Sequence, residues 1–215
     1  PGLYDAFFAD QDLFQELYEK YERATSIRKK VLPALDVFQM FLTERKDTGR
    51  IYLMNVDHAN EHGSFDEKVA PIRMSNLCCE IDLPTTPLED LNDESGEISL
   101  CTLSAINWGL INEPSEFEKY CTLSVRALDE LLDYQSYPVP AAKRGTINRR
   151  PLGVGIINLA YFLAKRDLKY DESAYKVVDE YAEAWSYYLI KASADLAVEK
   201  GKIIYNNDTK YSKGI

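Results

Sequence analysis

Segments with helical periodicity alternate along this chain with short strand-like segments, and no low-complexity linker separates them. Apolar residues at helical spacing predict helices at residues 10–21, 27–48, 115–132, 152–163 and 173–199. Strand-like runs lie at residues 51–56, 72–83 and 98–106, whereas 57–69 is predicted to be irregular, 88–96 an acidic turn region and 138–151 a basic connection. This alternation is typical of the α/β class and predicts that residues 1–215 form one continuous portion of a single domain.

The charge balance excludes two classes of partner. The chain carries 25 Lys and Arg against 35 Asp and Glu, a formal net charge of -10. Binding to nucleic acid or to anionic membranes needs clustered basic residues, so neither is expected. The longest uncharged run, residues 151–164, is too short to span a bilayer and suits a buried helix. The first residues lack the basic segment of a signal peptide, which predicts a cytoplasmic protein with reduced thiols.

The cysteines are the residues most able to carry chemistry, and they are Cys78, Cys79, Cys101 and Cys121. Their spacing does not match the paired C-x-x-C units of a zinc site, so we expect no bound metal. The tetrapeptide Cys-Thr-Leu-Ser occurs twice, at residues 101–104 and 121–124, and we interpret the repeat as chance. Cys121 lies on a predicted amphipathic helix, where a free cysteine is usually a small core residue.

Residues 75–81 form the most informative segment, because polar side chains recur in it at a period of two. In an extended chain Asn76, Cys78 and Glu80 share one face, and the residues between them point towards the core. An amide, a thiol and a carboxylate would then converge on one small volume. An ordinary strand with polar residues on its solvent side explains the spacing equally, and the spacing alone favours that alternative.

Several long stretches in collinear order resemble the large, catalytic subunits of class I ribonucleotide reductases. These stretches are P-G-L-Y-D-A-F-F (1–8), T-G-R-I-Y-L-M-N-V-D (48–57), S-N-L-C-C-E-I-D-L (75–83), E-I-S-L-C-T-L-S (97–104) and P-A-A-K-R-G-T-I-N-R-R (140–150). Because these matches are independent, no single motif has to carry the resemblance. The resemblance implies an α/β fold in which this chain forms part of a ten-stranded α/β barrel with a central catalytic loop.

The resemblance also implies roles for individual residues. Cys78 matches the thiyl-radical cysteine that removes hydrogen from the ribose 3′ carbon, Glu80 the general base for the 3′-hydroxyl proton, and Asn76 the residue that orients the sugar hydroxyls. Ser75 is implied, with Asn76 and Glu80, in substrate binding. A base and a radical that act on one sugar carbon belong close together. Since water must be excluded from the radical, we expect a buried site within the barrel.

Cys101 matches one half of the reducing dithiol of the family. Two thiols give up two electrons as a disulfide forms, and the 2′ carbon is thereby reduced. The partner cysteine lies upstream in the family, on a segment that this chain lacks. Cys79 stands where the family usually has an aliphatic residue, so the resemblance assigns it no role.

Partners are implied by the same resemblance. The N- and C-terminal parts of a full subunit are absent from this sequence, so we expect the isolated chain not to turn over. No cofactor is expected in this chain; a separate metal-containing small subunit would supply the radical. The other implied partners are the remaining segments or a complementary chain of the large subunit, a second copy of that subunit, thioredoxin or glutaredoxin, and a nucleoside diphosphate substrate.

Two rival functions are weighed against this one. A catalytically inactive interaction or assembly fragment would keep the family fold, but the retention of Asn76, Cys78, Glu80 and Cys101 argues against decay. An anaerobic thiyl-radical reductase shares the barrel, but the collinear stretches outside the cysteine segment argue against it.

Two further motifs are set aside. Residues 58–62 (H-A-N-E-H) fit the H-x-x-E-H pattern of metalloproteases, but that pattern requires a helix, and the Asn, Asp and Gly residues around it predict a solvated loop. Basic residues within 143–150, followed by Gly-Val-Gly at 153–155, resemble a phosphate-binding helix N-terminus. Their glycine pattern is incomplete, and they are left unassigned.

Overall fold

The computed structural model describes residues 2–214, and the chain divides at residue 54 into two compact units. The first unit, residues 1–54, is helical among its described residues. Its helices are α1 (Leu3–Ala9), α2 (Gln11–Arg23) and α3 (Ala34–Thr48). The prediction that the whole chain forms one portion of a single domain stays a prediction.

Helix boundaries in the first unit follow from short-range chemistry. The Asp10 side chain accepts a hydrogen bond from the Leu13 N–H at 3.0 Å and so caps the start of α2. Gly49 takes a left-handed φ of 64°, and α3 ends before it at the predicted residue 48. The start of α3 differs from the prediction of residue 27, because Pro33 disfavours helical backbone in the residue before it.

The second unit, residues 55–215, contains the strands. Its elements are α4 (Val56–His62), β1 (Leu103–Asn107), α5 (Phe117–Tyr134), α6 (Pro140–Arg149), β2 (Gly153–Ile157), α7 (Leu159–Ala164) and α8 (Tyr175–Lys200). β1 and β2 pair in parallel, with Leu103 opposite Gly153. Parallel strands need a crossover connection, and α5 and α6 lie within it.

An aromatic cluster forms the main core of this unit. Trp108, fully buried after β1, lies 5.4 Å from both the Phe117 and the Phe162 ring centroids. Tyr181 and Trp185 of α8 complete the cluster, at 6.2 and 6.4 Å from Trp108. The burial of large aromatic side chains fixes α5, α7 and α8 against the end of β1.

Several secondary-structure predictions are confirmed and others are wrong. The helices at 115–132 and 173–199 correspond to α5 and α8, and residues 88–96 form turns and bends. The strand at 51–56 is not found, and α4 occupies the start of the segment predicted to be irregular. The predicted connection at 138–151 is helix α6, since Pro140 lies in its first turn, where no N–H is needed.

The predicted helix at 152–163 is also wrong. Its first half is β2, and Asn158, with a left-handed φ of 65°, separates that strand from the short helix α7. The strand predicted at 98–106 is formed as β1 only from Leu103 onwards. No helix within residues 2–214 is both long enough and apolar enough to cross a membrane.

Candidate functional site

A tight turn at residues 76–81 carries most of the predicted site residues. On either side of it Ser75 and Asp82 pair as an antiparallel bridge. The Asn76 N–H donates to the carbonyl of Ile81 at 3.1 Å and closes the base of the turn. The chain therefore reverses direction within a few residues.

This reversal shows that the extended segment predicted at 72–83 is wrong at its centre. The Cys79 N–H donates to the carbonyl of Asn76 at 3.0 Å, and Cys79 has a left-handed φ of 60°. Leu77, expected to point towards the core, is 91% exposed. The prediction that Asn76, Cys78 and Glu80 share one face failed because side chains alternate between two faces only where every residue is extended.

The side chain of Asn76 connects the parts of the turn to one another and to a second segment. Its Oδ1 accepts from the N–H groups of Glu80 and Ile81, at 3.1 and 3.0 Å. Its Nδ2 donates to Oε1 of Glu80 at 2.8 Å and to Sγ of Cys101 at 3.3 Å. An amide that bonds to the backbone of its own turn is a common role of asparagine. The structure thus brings Glu80 and Cys101 into direct contact with Asn76.

The tip of the turn carries Cys78, whose free thiol is exposed. The Cys101 thiol and the Glu80 side chain are exposed as well. These three side chains are thus open to solvent in this chain, and the burial of the site within a complete barrel stays a prediction.

Cys101 lies just before β1, on a segment that is anchored at both ends. The Ile98 N–H donates to a carbonyl of α6 at 3.2 Å, and the carbonyl of Thr102 accepts from the N–H of Gly153 at 2.9 Å. Helix α6 approaches closely because residue 145 is glycine. A Cβ at Gly145 would lie 2.6 Å from the carbonyl oxygen of Ile98.

A buried ion-pair network holds the start of the same segment. Oε2 of Glu97 accepts from Nε of Arg149 at 3.0 Å, and Nη1 of Arg149 donates to Oδ2 of Asp208 at 2.9 Å. The Arg149 guanidinium also lies over the Tyr205 ring, 4.7 Å from its centroid. Removing one member of a buried pair costs about 3–5 kcal/mol, so the network fixes the backbone that leads to Cys101. Sequence reasoning missed it, because 52 and 59 residues separate its paired members.

Cys121 has the opposite environment. It is fully buried in α5, among the aromatic residues of the core, and its Sγ lies 3.8 Å from the carbonyl oxygen of Trp185. Burial raises the pKa of its thiol to about 11, because the thiolate is poorly solvated there. The prediction that Cys121 is a small core residue is confirmed.

The three arginines among the basic residues considered as a phosphate site are paired with carboxylates. Nε of Arg150 donates to Oδ1 of Asp129 at 2.5 Å, and its Nη2 donates to Oδ2 of Asp133 at 2.8 Å. The hydrogen bond from Arg150 lowers the pKa of Asp133. Gly153 and Gly155 belong to β2 rather than to a helix N-terminus. Arg150 therefore joins the end of α6 to α5.

The H-x-x-E-H segment is helical, against the prediction of a solvated loop. It lies within α4, and the His58 and His62 ring centroids are 5.9 Å apart. The end of α4 is closed by Lys210, whose Nζ donates to the carbonyls of Asn60 and Glu61. Within residues 2–214, no group of three His, Cys, Asp or Glu side chains is placed to hold a metal ion.

Comparisons with known proteins extend over the whole chain. The sequence profile of the ribonucleotide reductase barrel domain matches residues 1–215. The ribonucleoside-diphosphate reductase subunit alpha of Haemophilus influenzae is 56% identical over 100% of this chain, and subunit alpha of reductase 1 of Escherichia coli is 57% identical over 100%. The subunit alpha of Enterobacteria phage T4 is 45% identical over 99% of this chain. The chain spans 29%, 28% and 28% of the lengths of these relatives.

This match agrees with the observed architecture. The second unit combines helices with a parallel strand pair, as a portion of an α/β barrel requires, so the predicted fold class is confirmed. The chain belongs to the ribonucleotide reductase barrel-domain family.

Proposed function

We propose that this chain is the part of a ribonucleoside-diphosphate reductase large subunit that performs the radical reduction of ribonucleoside diphosphates to deoxyribonucleoside diphosphates. One observation carries the proposal: the Asn76 amide contacts both Glu80 and Cys101 from the turn that bears Cys78. The names of relatives that are 56% and 57% identical over the whole chain support it.

The first step of the proposed reaction belongs to the turn. As a thiyl radical, Cys78 takes the hydrogen atom from the 3′ carbon, and its sulfur becomes a thiol while the carbon becomes a radical. An S–H bond is close in strength to the C–H bond that breaks, so the step is readily reversed. The Glu80 carboxylate accepts the 3′-hydroxyl proton from a position two residues along the same turn.

The reducing step belongs to the second segment. Cys101 and a cysteine from outside this chain lose two electrons and two protons as their disulfide forms. The 2′-hydroxyl leaves as water and a hydrogen takes its place on the 2′ carbon, which balances the oxidation of the thiols. Cys78 then returns its hydrogen to the 3′ carbon. The contact between Asn76 and Cys101 supports this pairing of turn and segment.

Substrate orientation is assigned to Ser75 and Asn76. The Ser75 hydroxyl donates to the carbonyl of Asn76 at 3.0 Å, and its own lone pairs stay available to a sugar hydroxyl. Both hydrogens of the Asn76 amide face the site and are donated to Glu80 and Cys101, so a sugar oxygen that binds there accepts in place of one of these two groups. Such fixed donors hold a reactant in the geometry of attack.

Other chains complete the proposed enzyme. A metal-containing small subunit supplies the oxidising equivalent that generates the radical. The remaining segments of the large subunit exclude water from Cys78, whose thiol is exposed in this chain. Thioredoxin or glutaredoxin restores the dithiol, and a second copy of the large subunit completes the assembly in the cytoplasm.

The test is reduction of a ribonucleoside diphosphate by this chain combined with the remaining large-subunit segments and a radical-generating small subunit. Wild type is compared with Cys78→Ser, and the adjacent Cys79→Ser serves as the matched control. We expect Cys78→Ser to lose at least roughly a thousandfold in rate, because a serine hydroxyl does not form the required radical under these conditions. Cys79→Ser should stay within about tenfold of wild type.

Equal rates for wild type and Cys78→Ser would exclude the radical role of Cys78. Absence of activity in wild type, once co-purification shows that the parts have assembled, would instead favour a catalytically inactive interaction fragment. A loss in Cys79→Ser as large as in Cys78→Ser would indicate damage to the turn rather than loss of a radical residue.

A further inference from the structure

The orientation of the Asn76 amide is fixed by the backbone. Its Oδ1 accepts from two N–H groups, those of Glu80 and Ile81, at 3.1 and 3.0 Å. A flipped amide would lose both hydrogen bonds and would place its carbonyl oxygen against the Glu80 carboxylate. The NH₂ group must therefore face Glu80 and Cys101.

We propose that Asn76 is a positioning residue for Cys101, and that its second amide hydrogen holds the Cys101 sulfur beside the Glu80 carboxylate. The role in catalysis rests on the proposed function, whereas the contact itself does not. One side chain thus sets the distance between the residue assigned as base and the residue assigned as reductant.

Packing alone does not set the direction of the Cys101 side chain. The backbone is anchored at Ile98 and Thr102, but Cys101 itself precedes β1 and is exposed. An exposed cysteine rotates readily about χ1 among its staggered rotamers. The donor at 3.3 Å from Sγ favours the rotamer that points towards the turn.

The same contact affects the chemistry of the sulfur. A hydrogen bond strengthens when its acceptor carries negative charge, so the Asn76 N–H stabilises charge that develops on Sγ during a reaction. Glu80 accepts the other hydrogen of the same amide and thereby keeps it in place. Cys78, by contrast, lies at the tip of the turn, and its exposed thiol can be compared with that of Cys101 in the same experiment.

Asn76→Asp separates the two functions of the side chain. The aspartate keeps an oxygen that accepts from the N–H groups of Glu80 and Ile81, so both of these hydrogen bonds within the turn are retained. It replaces the donor with a carboxylate oxygen, which repels negative charge on both Cys101 and Glu80. Asn76→Ala removes both the acceptor that bonds to the turn and the N–H donor to Cys101.

The experiment measures the rate at which iodoacetamide alkylates each cysteine of the full 215-residue chain at pH 7.5, resolved by peptide mass spectrometry. Alkylation proceeds through the charged sulfur. We expect Asn76→Asp to slow the alkylation of Cys101 about tenfold. The rate at Cys78 should stay within about twofold, because no hydrogen bond joins it to Asn76 among the described residues.

Cys121 reports whether each variant is folded. It is fully buried, so it should stay unmodified in every folded variant. Glu80→Ala is the second control, since it keeps the backbone N–H that orients Asn76 and keeps the donor to Cys101. In that variant the Cys101 rate should not fall.

An unchanged Cys101 rate in Asn76→Asp, with Cys121 still protected, overturns the proposal, and so does an equal fall at Cys78. If Asn76→Asp exposes Cys121, Asn76→Ser takes its place, because serine keeps an acceptor in the turn but is too short to reach Cys101. The alkylation experiment measures no enzymatic activity, so a negative result in the reductase assay does not affect the conclusion about Asn76 and Cys101. A negative result in the alkylation experiment, in turn, does not affect the proposed roles of Cys78 and Glu80.

Discussion

The tetrapeptide Cys-Thr-Leu-Ser occurs in two regions of the molecule with opposite outcomes. At residues 101–104 it leads into β1, and the exposed Cys101 thiol contacts Asn76. At residues 121–124 it lies within α5, and Cys121 is fully buried in the aromatic core. Four identical residues therefore determine neither the secondary structure nor the reactivity of the cysteine.

The surroundings of each copy explain the difference. Around Cys121, apolar residues recur at helical spacing, and the buried positions of α5 include Phe117, Val125 and Leu128. Around Cys101, the neighbouring backbone bonds to α6 and β2 instead. Periodicity over a long window and tertiary pairing decide what a short segment becomes.

The largest expected contrast is chemical. In the folded chain at pH 8, iodoacetamide should alkylate Cys101 at least about a hundredfold faster than Cys121, since burial excludes the reagent and disfavours the Cys121 thiolate. In urea the two rates should converge, because burial no longer distinguishes the two thiols and the three residues that follow each of them are the same. Peptide mass spectrometry follows both sites, and equal rates in the folded chain would contradict the assignment of Cys121 to the core.

A smaller contrast is expected in stability. Cys121→Ser places a hydroxyl among apolar side chains and should lower the free energy of unfolding by about 1–3 kcal/mol. The matched change Cys101→Ser should lie within about 0.5 kcal/mol of wild type, because its side chain is exposed. Urea denaturation followed by circular dichroism measures both. Similar losses in the two variants would show that the two environments differ less than the burial indicates.

The smallest contrast is a dependence on pH. The pKa of Cys121 rises from 9.0 to about 11 on folding, so the neutral thiol is favoured in the folded state. Its contribution is complete below pH 9 and is lost as the pH rises towards 11. Between pH 8 and pH 10, wild type should lose about 1 kcal/mol of unfolding free energy relative to Cys121→Ala. A difference that stays constant over this interval would contradict the raised pKa.

The long amphipathic elements could be predicted from the sequence. α5 and α8 were found because their apolar stripes run for several turns, and α3 and α8 end within one residue of the predicted places. β2 was mistaken for a helix, because a short apolar run fits either structure and its partner β1 is distant in the sequence. α4 and α6 were missed because turn-forming residues and prolines also occur at helix starts.

The geometry of the candidate site was not predictable from the sequence, and the choice of its residues stays a prediction. The resemblance identified Asn76, Cys78, Glu80 and Cys101, and their chemical roles remain proposals. The contact between Asn76 and Cys101 was not predicted, because the two residues are 25 apart in the sequence. In addition, the turn that carries Asn76 was interpreted as a strand. Hydrogen bonds from one side chain to several backbone groups leave no periodic signal.

The parallel pairing of β1 with β2 has a consequence for the order in which the chain folds. Thr102, next to Cys101, bonds to Gly153, and α5 and α6 are both synthesised between them. Contacts of such high contact order form late, after the intervening local structure. During synthesis the residues of the Asn76 turn are all present early, whereas the segment that carries Cys101 makes its bonds to α6 and β2 only after those elements have been synthesised. The Asn76 turn and the segment that carries Cys101 are thus expected to become ordered at different stages of synthesis.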